Sequence, residues 1–394
     1  MNRRRRHVQT QFFTFAKTEA DAFKLLNGEH LWPITLAYET YGELSEARDN
    51  AVLVFHALSG SQHAAGFNET VEGVEDLWTN ECQVGWWDRF IGPGRTLDTR
   101  RYFIICVNYL GSCYGSTGPR SIHPATGRPY GGDFPSVQLE DVVDSQLHLL
   151  DHLGIEQLLG VIGGSLGGML ALDLATRHPE RVRCVIPIAA GARASTLQKL
   201  FNFEQIYAIE EDPHFNRGHY YDDHPPTRGL QLARMIGHKT FISLHVMEDR
   251  ARSEIIQGEN DLKGYKLQHQ IESYMLHQSK KFVKRFDANS YLRILHMWQR
   301  FNLRDRGGGD LAEAFKPCRD HSFLIFSIDS DVCFYPDEQA ELAEALKHLD
   351  IKYQYMTVHS DKGHDSFLLE PELYKPNITF LLREVYARIR EKHA

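Results

Sequence analysis

A serine hydroxyl is a weak nucleophile at neutral pH and becomes a useful one only beside a histidine base that a carboxylate holds in the right tautomer. The chain of 394 residues offers one serine in a setting suited to that role. Ser165 lies in Gly163-Gly164-Ser165-Leu166-Gly167, where an apolar run at 159–162 meets a helical pattern over 166–177. A hydroxyl projected from a sharp strand-to-helix turn needs neighbours without side chains, because the backbone on either side approaches closely. Gly163 and Gly167 meet that demand, and Gly168 relieves crowding further. The competing reading, a glycine-rich turn around an inert serine, is weighed by whether partners exist.

Suitable partners follow in the order acid, then histidine. Asp331 comes just after the apolar run 323–328, and His364 follows the run 353–358. Both fall beyond the C-terminal ends of expected strands, where open α/β sheets place their sites. Asp329 and Asp361 compete as carboxylates, and spacing favours Asp331 over Asp329 only modestly. Acyl transfer also needs backbone donors for the oxyanion. The Leu166 amide, next after the serine, supplies one. The second is expected from His56-Ala57-Leu58-Ser59-Gly60, with the Leu58 amide as candidate; an ordinary strand-ending turn is the alternative there.

The surrounding pattern is that of an α/β protein with a mostly parallel sheet. Residues 51–58, 102–109 and 158–163 read as buried strands. Leu139, Val142, Val143, Leu147, Leu150 and Leu153 recur at helical spacing, with Gly154 placed to end that helix. A strand over 183–190 follows the helix 166–177. From about 192 to 317 β-branched runs become scarce, and 229–242 and 267–286 look helical, which suggests an inserted helical lid. Gly307-Gly308-Gly309 reads as a joining loop rather than a phosphate cradle, since no strand clearly precedes it. A strand at 323–328, a helix at 337–349, a strand at 353–358 and a helix at 371–392 complete the pattern. The expected division is a core in two parts, 1–191 and 319–394, around a lid at 192–318.

Composition narrows the function classes. With 42% hydrophobic and 24% charged residues the chain is ordinary globular protein. A net charge of -8 disfavours nucleic acid and anionic membranes as partners. The only basic run, Arg3 to Arg6, lacks the apolar stretch of a signal peptide behind it and reads as a solvated tail. Six scattered cysteines without a CxxC pair fit reduced thiols in a cytoplasm. The 21 histidines show no metal-ligand spacing, so no metal is expected.

Several segments together resemble one family. They include Glu39-Thr40-Tyr41-Gly42, His56-Ala57-Leu58-Ser59-Gly60, Gly85-Trp86-Trp87-Asp88, Gly115-Ser116-Thr117-Gly118-Pro119, Ala233-Arg234-Met235-Ile236-Gly237-His238, Arg285-Phe286-Asp287-Ala288-Asn289 and Gly363-His364-Asp365-Ser366-Phe367, besides the serine motif itself. Over nearly the whole chain after residue 35 the sequence resembles the homoserine O-acyltransferases of the α/β-hydrolase superfamily, which use an acyl-CoA donor in methionine biosynthesis. The resemblance implies an α/β-hydrolase fold with a helical lid, and a triad of Ser165, Asp331 and His364, which moves Asp331 well ahead of Asp329. It implies that Arg234 grips an amino acid's carboxylate and that Asp365 pairs with its ammonium group. It further implies ping-pong transfer of acetyl from acetyl-CoA, a co-substrate rather than a cofactor, to L-homoserine, and a homodimer through the lid. The nearest alternatives are succinyl-CoA as donor or serine as acceptor, then an ester or thioester hydrolase. Phe241 stands where relatives carry an aromatic hydroxyl, Phe203, Ile206 and Tyr207 replace more polar residues, and 71–84 is longer than usual. These differences are expected in the lid and entrance, where they would bear on substrate choice.

Overall fold

Runs of five to seven residues with every side chain buried are inner strands of a sheet covered on both faces. The computed structural model, which describes residues 6–253 and 262–393, contains four such strands. In chain order the strands are β1 (Gln11–Phe15), β2 (Phe23–Lys24), β3 (His30–Leu31), β4 (Ile34–Tyr41), β5 (Ala51–Phe55), β6 (Phe103–Val107), β7 (Leu158–Gly164), β8 (Val182–Ile188), β9 (Ser322–Ile328) and β10 (Lys352–Val358). Eight of them form one sheet in the order β1-β4-β6-β5-β7-β8-β9-β10, while β2 and β3 pair by themselves. From β6 onward every pairing is parallel; β1 with β4 and β4 with β6 are antiparallel.

Alternation along the strands sends side chains to two cores. Ala51, Leu53 and Phe55 of β5 pack on one face with the helices α1 (Leu139–His152) and α2 (Leu166–Arg177). Val52 and Val54 pack on the other face, which the C-terminal helix Pro371–His393 covers with Tyr374, Ile378, Leu381 and Leu382. Each large aliphatic side chain so buried contributes roughly 1.5–3 kcal/mol. This double covering fixes the strand ends, and therefore the loops that leave them.

The antiparallel β4 is an element that the apolar pattern does not announce. Its sequence is broken by Glu39, which is nonetheless fully buried. The carboxylate survives there because His63, Tyr41, Asn68 and Thr10 all hydrogen-bond to it.

Between β8 and β9 the chain runs through helices α3 (Thr196–Glu210), α4 (Thr227–Phe241), α5 (Leu244–Ser253), α6 (Gln270–Val283), α7 (Ala288–Arg300) and α8 (Leu311–Phe315). Expected helices at 229–242 and 267–286 correspond to α4 and α6; α3 and α7 are additional. The triple glycine ends a 3-10 turn, Leu303–Gly307, and leads on to α8, with Gly308 in the left-handed region at φ 61°. After β9 come α9 (Pro336–His348), β10, α10 (Ser366–Leu369) and α11, the Pro371–His393 helix. Of the arginine run at the N-terminus, only Arg6 falls within the described residues.

Candidate active site

Ser165 occupies the single-residue turn between β7 and α2, with φ 59° and ψ -128°. A non-glycine residue held there stores on the order of 1–3 kcal/mol of strain, which the surrounding structure must impose. Its amide donates to Ile188 of β8 at 2.9 Å, and its carbonyl accepts from Gly168 at 2.9 Å and Met169 at 3.3 Å. A Cβ on Gly163 would come within 2.3 Å of the Gly167 backbone, and one on Gly167 within 2.4 Å of the Phe55 carbonyl oxygen. The glycines therefore let the turn close and let α2 begin against the end of β5, whose following residues are His56 to Gly60.

Asp331 and His364 come from the loops after β9 and β10. His364 donates from Nδ1 to Asp331 Oδ2 at 2.7 Å, and both residues are buried. The other carboxylate oxygen accepts from the amides of Cys333 at 2.8 Å and Phe334 at 2.9 Å. His364 is stacked on Phe334, with ring centroids 5.4 Å apart and 18° between planes, and meets Phe367 edge-on. Its Nε2 is buried and meets no hydrogen-bond partner among the described residues. Burial, the largest single influence, pushes the imidazole pKa down, but the charge and hydrogen bond of Asp331, with Asp365 and Glu338 behind them, outweigh it and hold the pKa above its ordinary value. The competing carboxylates are engaged elsewhere: Asp329 pairs with His359 at 2.8 Å and Asp361 with Lys362 at 2.8 Å.

Ser165 and His364 line one cavity of about 320 Å³. Leu58, Ser59 and Asp365 line it from the sheet side, Arg234, Phe241 and Arg285 from the helical segment, and Glu81, Cys82 and Val84 from the long 71–84 stretch. Leu166 is the first residue of α2, where an amide has no acceptor within the helix. Arg234 stands over two rings, 4.6 Å from the centroid of Phe282 and 5.3 Å from that of Phe241. Among the described residues it meets no hydrogen-bond acceptor. Burial, aided by Arg285 and opposed by Tyr291 and Asp365, holds its pKa below the ordinary arginine value, though guanidinium stays protonated. A carboxylate arriving there would find unused donors.

The helical segment also touches the histidine loop. Gly363 has φ 67°, and a Cβ there would fall 2.6 Å from the Ser243 amide nitrogen; Ser243 in turn donates its hydroxyl to the Asp361 carbonyl. Any shift of the α4–α5 junction is thus felt beside His364.

One expectation about this region changes. Phe203 and Tyr207 are both 57% exposed on the outer face of α3, and Ile206 packs against the main core, so none of the three lines the cavity. Phe241 does line it, with its ring 6.3 Å from that of His364. Glu81 and Arg285 line the cavity as well; the sequence marks Arg285 only as part of a family-like segment and Glu81 only as part of the long 71–84 stretch. Among the described residues no group of three or more His, Cys, Asp or Glu side chains could hold a metal ion.

The alpha/beta hydrolase fold family matches residues 50–371. The chain is 43% identical over 385 residues to a homoserine O-acetyltransferase of Desulfotalea psychrophila, covering 98% of this chain and 96% of that protein. It is 41% identical over 363 residues to a homoserine O-succinyltransferase of Acidithiobacillus ferrooxidans, covering 92% of each. Among solved structures, a homoserine O-acetyltransferase from Bacillus anthracis superposes with a TM-score of 0.84 at 26% identity, over 96% of this chain and 98% of that one. Esterase E22 superposes with a TM-score of 0.83, also at 26% identity, over 95% of this chain and 100% of that one.

Proposed function

The chain belongs to the homoserine O-acyltransferases of the α/β-hydrolase fold, and on that premise we propose that it transfers acetyl from acetyl-CoA to the hydroxyl of L-homoserine, in methionine biosynthesis. One observation carries the reading: the cavity lined by Ser165 and by His364, the partner of Asp331, also presents Arg234 with its donors uncommitted among the described residues. A simple esterase has no use for such a cation.

In the first half-reaction His364 Nε2 takes the proton of Ser165 as its Oγ attacks the thioester carbonyl. The tetrahedral oxyanion is held by the Leu58 and Leu166 amides. The C–S bond breaks, CoA leaves as the thiol with that proton, and an acetyl-serine remains. In the second half-reaction Arg234 binds the carboxylate of homoserine and Asp365 its ammonium group. His364 removes the proton of the homoserine hydroxyl, which attacks the acyl-enzyme; O-acetylhomoserine departs and Ser165 recovers its proton. Acetyl-CoA acts as a co-substrate, and no further cofactor enters these steps. The α3–α8 segment serves as a lid that keeps water from the acyl-enzyme.

We further propose a homodimer through this lid and a cytoplasmic location. Leu197, Leu200, Phe203 and Tyr207 form an exposed apolar stripe on α3, suited to a second copy. All six cysteines are free thiols, and among the described residues no helix is long and apolar enough to cross a membrane.

The test crosses acetyl-CoA with homoserine, serine or no acceptor, measuring thiol release and product mass. CoA release should depend on homoserine and fall by at least about 10⁴-fold in Ser165→Ala. Equal release with and without an amino acid would instead support hydrolysis, the reading favoured by the likeness to esterase E22.

A further inference from the structure

The cavity holds two guanidinium groups against one ring: Arg234 lies 4.6 Å and Arg285 5.1 Å from the centroid of Phe282. Their surroundings differ. Arg234 meets no acceptor among the described residues, whereas Arg285 donates from Nη1 to the Tyr114 hydroxyl at 3.1 Å and the Ser59 carbonyl at 3.4 Å. Its Nε also faces Glu81 Oε2 at 4.0 Å, and the other oxygen of Glu81 is ion-paired with Lys281 of α6. Ser59 directly follows Leu58, so Arg285 is tied to the wall beside the proposed oxyanion donor. Glu81 comes from the long 71–84 stretch and joins that wall to the helical segment.

We propose that Glu81 selects the acyl donor, turning the site toward an uncharged acyl group such as acetyl and away from a dicarboxylic one such as succinyl. This rests on the transferase reading above. A succinyl thioester carries a carboxylate a few bonds beyond the reacting carbonyl, and within the cavity that anion needs a cation of its own. Arg234 is free only until the amino acid arrives, so a succinyl group that is to stay on Ser165 into the second half-reaction needs a different cation, Arg285 or its neighbour Lys281. Glu81 already lies between those two cations. An incoming carboxylate would therefore meet a like charge and displace an existing ion pair, while an acetyl methyl group, having no charge, loses nothing. The bonds made and broken are the same for both donors; only the fit of the distal group differs.

The test compares kcat/KM for succinyl-CoA and acetyl-CoA, at saturating homoserine, in the unaltered enzyme, Glu81→Gln and Glu81→Lys. The unaltered enzyme should prefer acetyl-CoA. The ratio of succinyl to acetyl should rise about tenfold in Glu81→Gln and further in Glu81→Lys, and the gain should shrink in high salt as the charges are screened. Glu81 is exposed, and without it Arg285 keeps its hydrogen bonds to Tyr114 and Ser59, so both variants should fold. Homoserine-dependent turnover with an unmoved ratio in both variants overturns the role of Glu81 alone; an unaltered enzyme that already prefers succinyl-CoA overturns that role and acetyl as the donor, and leaves acyl transfer to homoserine standing. Absence of homoserine-dependent release from either donor overturns the transferase reading and this proposal with it.

Discussion

Asp331 and His364 hang from the C-terminal ends of two neighbouring parallel strands, β9 and β10, and meet through a 2.7 Å hydrogen bond. Because a carboxylate can only accept, the bond fixes the proton on Nδ1 and leaves Nε2 as the basic nitrogen. The second Asp331 oxygen is held by the Cys333 and Phe334 amides, so the acid has little freedom to turn away. The strand register thereby sets the tautomer.

Asp331→Asn should leave the fold intact and lower kcat by about 10⁴-fold, since an amide can stabilise the wrong tautomer and cannot balance the imidazolium. Asp329→Asn, whose partner His359 is exposed, should stay within threefold of the unaltered enzyme. Steady-state CoA release separates the two; similar losses in both would remove Asp331 from its assigned role.

The pH profile follows from the raised pKa of His364. The base must be neutral to act, so kcat/KM for acetyl-CoA should fall on the acid side with a midpoint above the 6.5 of an ordinary histidine. Glu338, itself pushed up to about 7 chiefly by burial and then lowered less by its bonds from Gln198 and Tyr335, contributes negative charge to that environment. Removing the charge in Glu338→Gln favours neutral imidazole, and the acid limb should move down by roughly half a pH unit. An upward movement would contradict the sign of this coupling.

Arg234→Lys keeps the charge and removes the planar fork. KM for homoserine should rise about 10- to 100-fold, as expected for loss of a charged, bidentate contact. The rapid first release of CoA from acetyl-CoA, before any acceptor adds, should stay within twofold. Single-turnover and steady-state thiol assays distinguish these effects, and an equal loss in both half-reactions would deny Arg234 an acceptor-specific role.

How much of this was legible in the sequence varied with how local the cause is. The turn at Ser165 was, because the glycines forced by close backbone approach sit within two residues of it. The inner strands β5, β6 and β7 were, because burial on both faces leaves an unbroken apolar run. β4 was not: Thr35, Glu39 and Thr40 interrupt its pattern, and the bonds that satisfy Glu39 come from residues scattered between Thr10 and Asn68. Helix α3 hid for another reason, since its exposed Leu197, Leu200, Phe203 and Tyr207 blur the contrast between an inner and an outer face. Asp331 needed the family resemblance to be chosen over Asp329, and the structure shows why spacing could not choose. Each carboxylate has its own histidine at the end of the neighbouring strand, and only burial tells them apart. Glu81 and Arg285 lie far apart in the chain, and no periodicity links them.

Ser165, Asp331 and His364 are all carried by the sheet, whereas Arg234 and Phe241 belong to α4. The acceptor clamp proposed above thus spans both pieces, with Arg234 on α4 and Asp365 beside His364 on the sheet side. A graft that replaces α4 therefore has to keep the Ser243 contact on Gly363 at its end, since that contact is what separates a change of acceptor from a change in the relay itself.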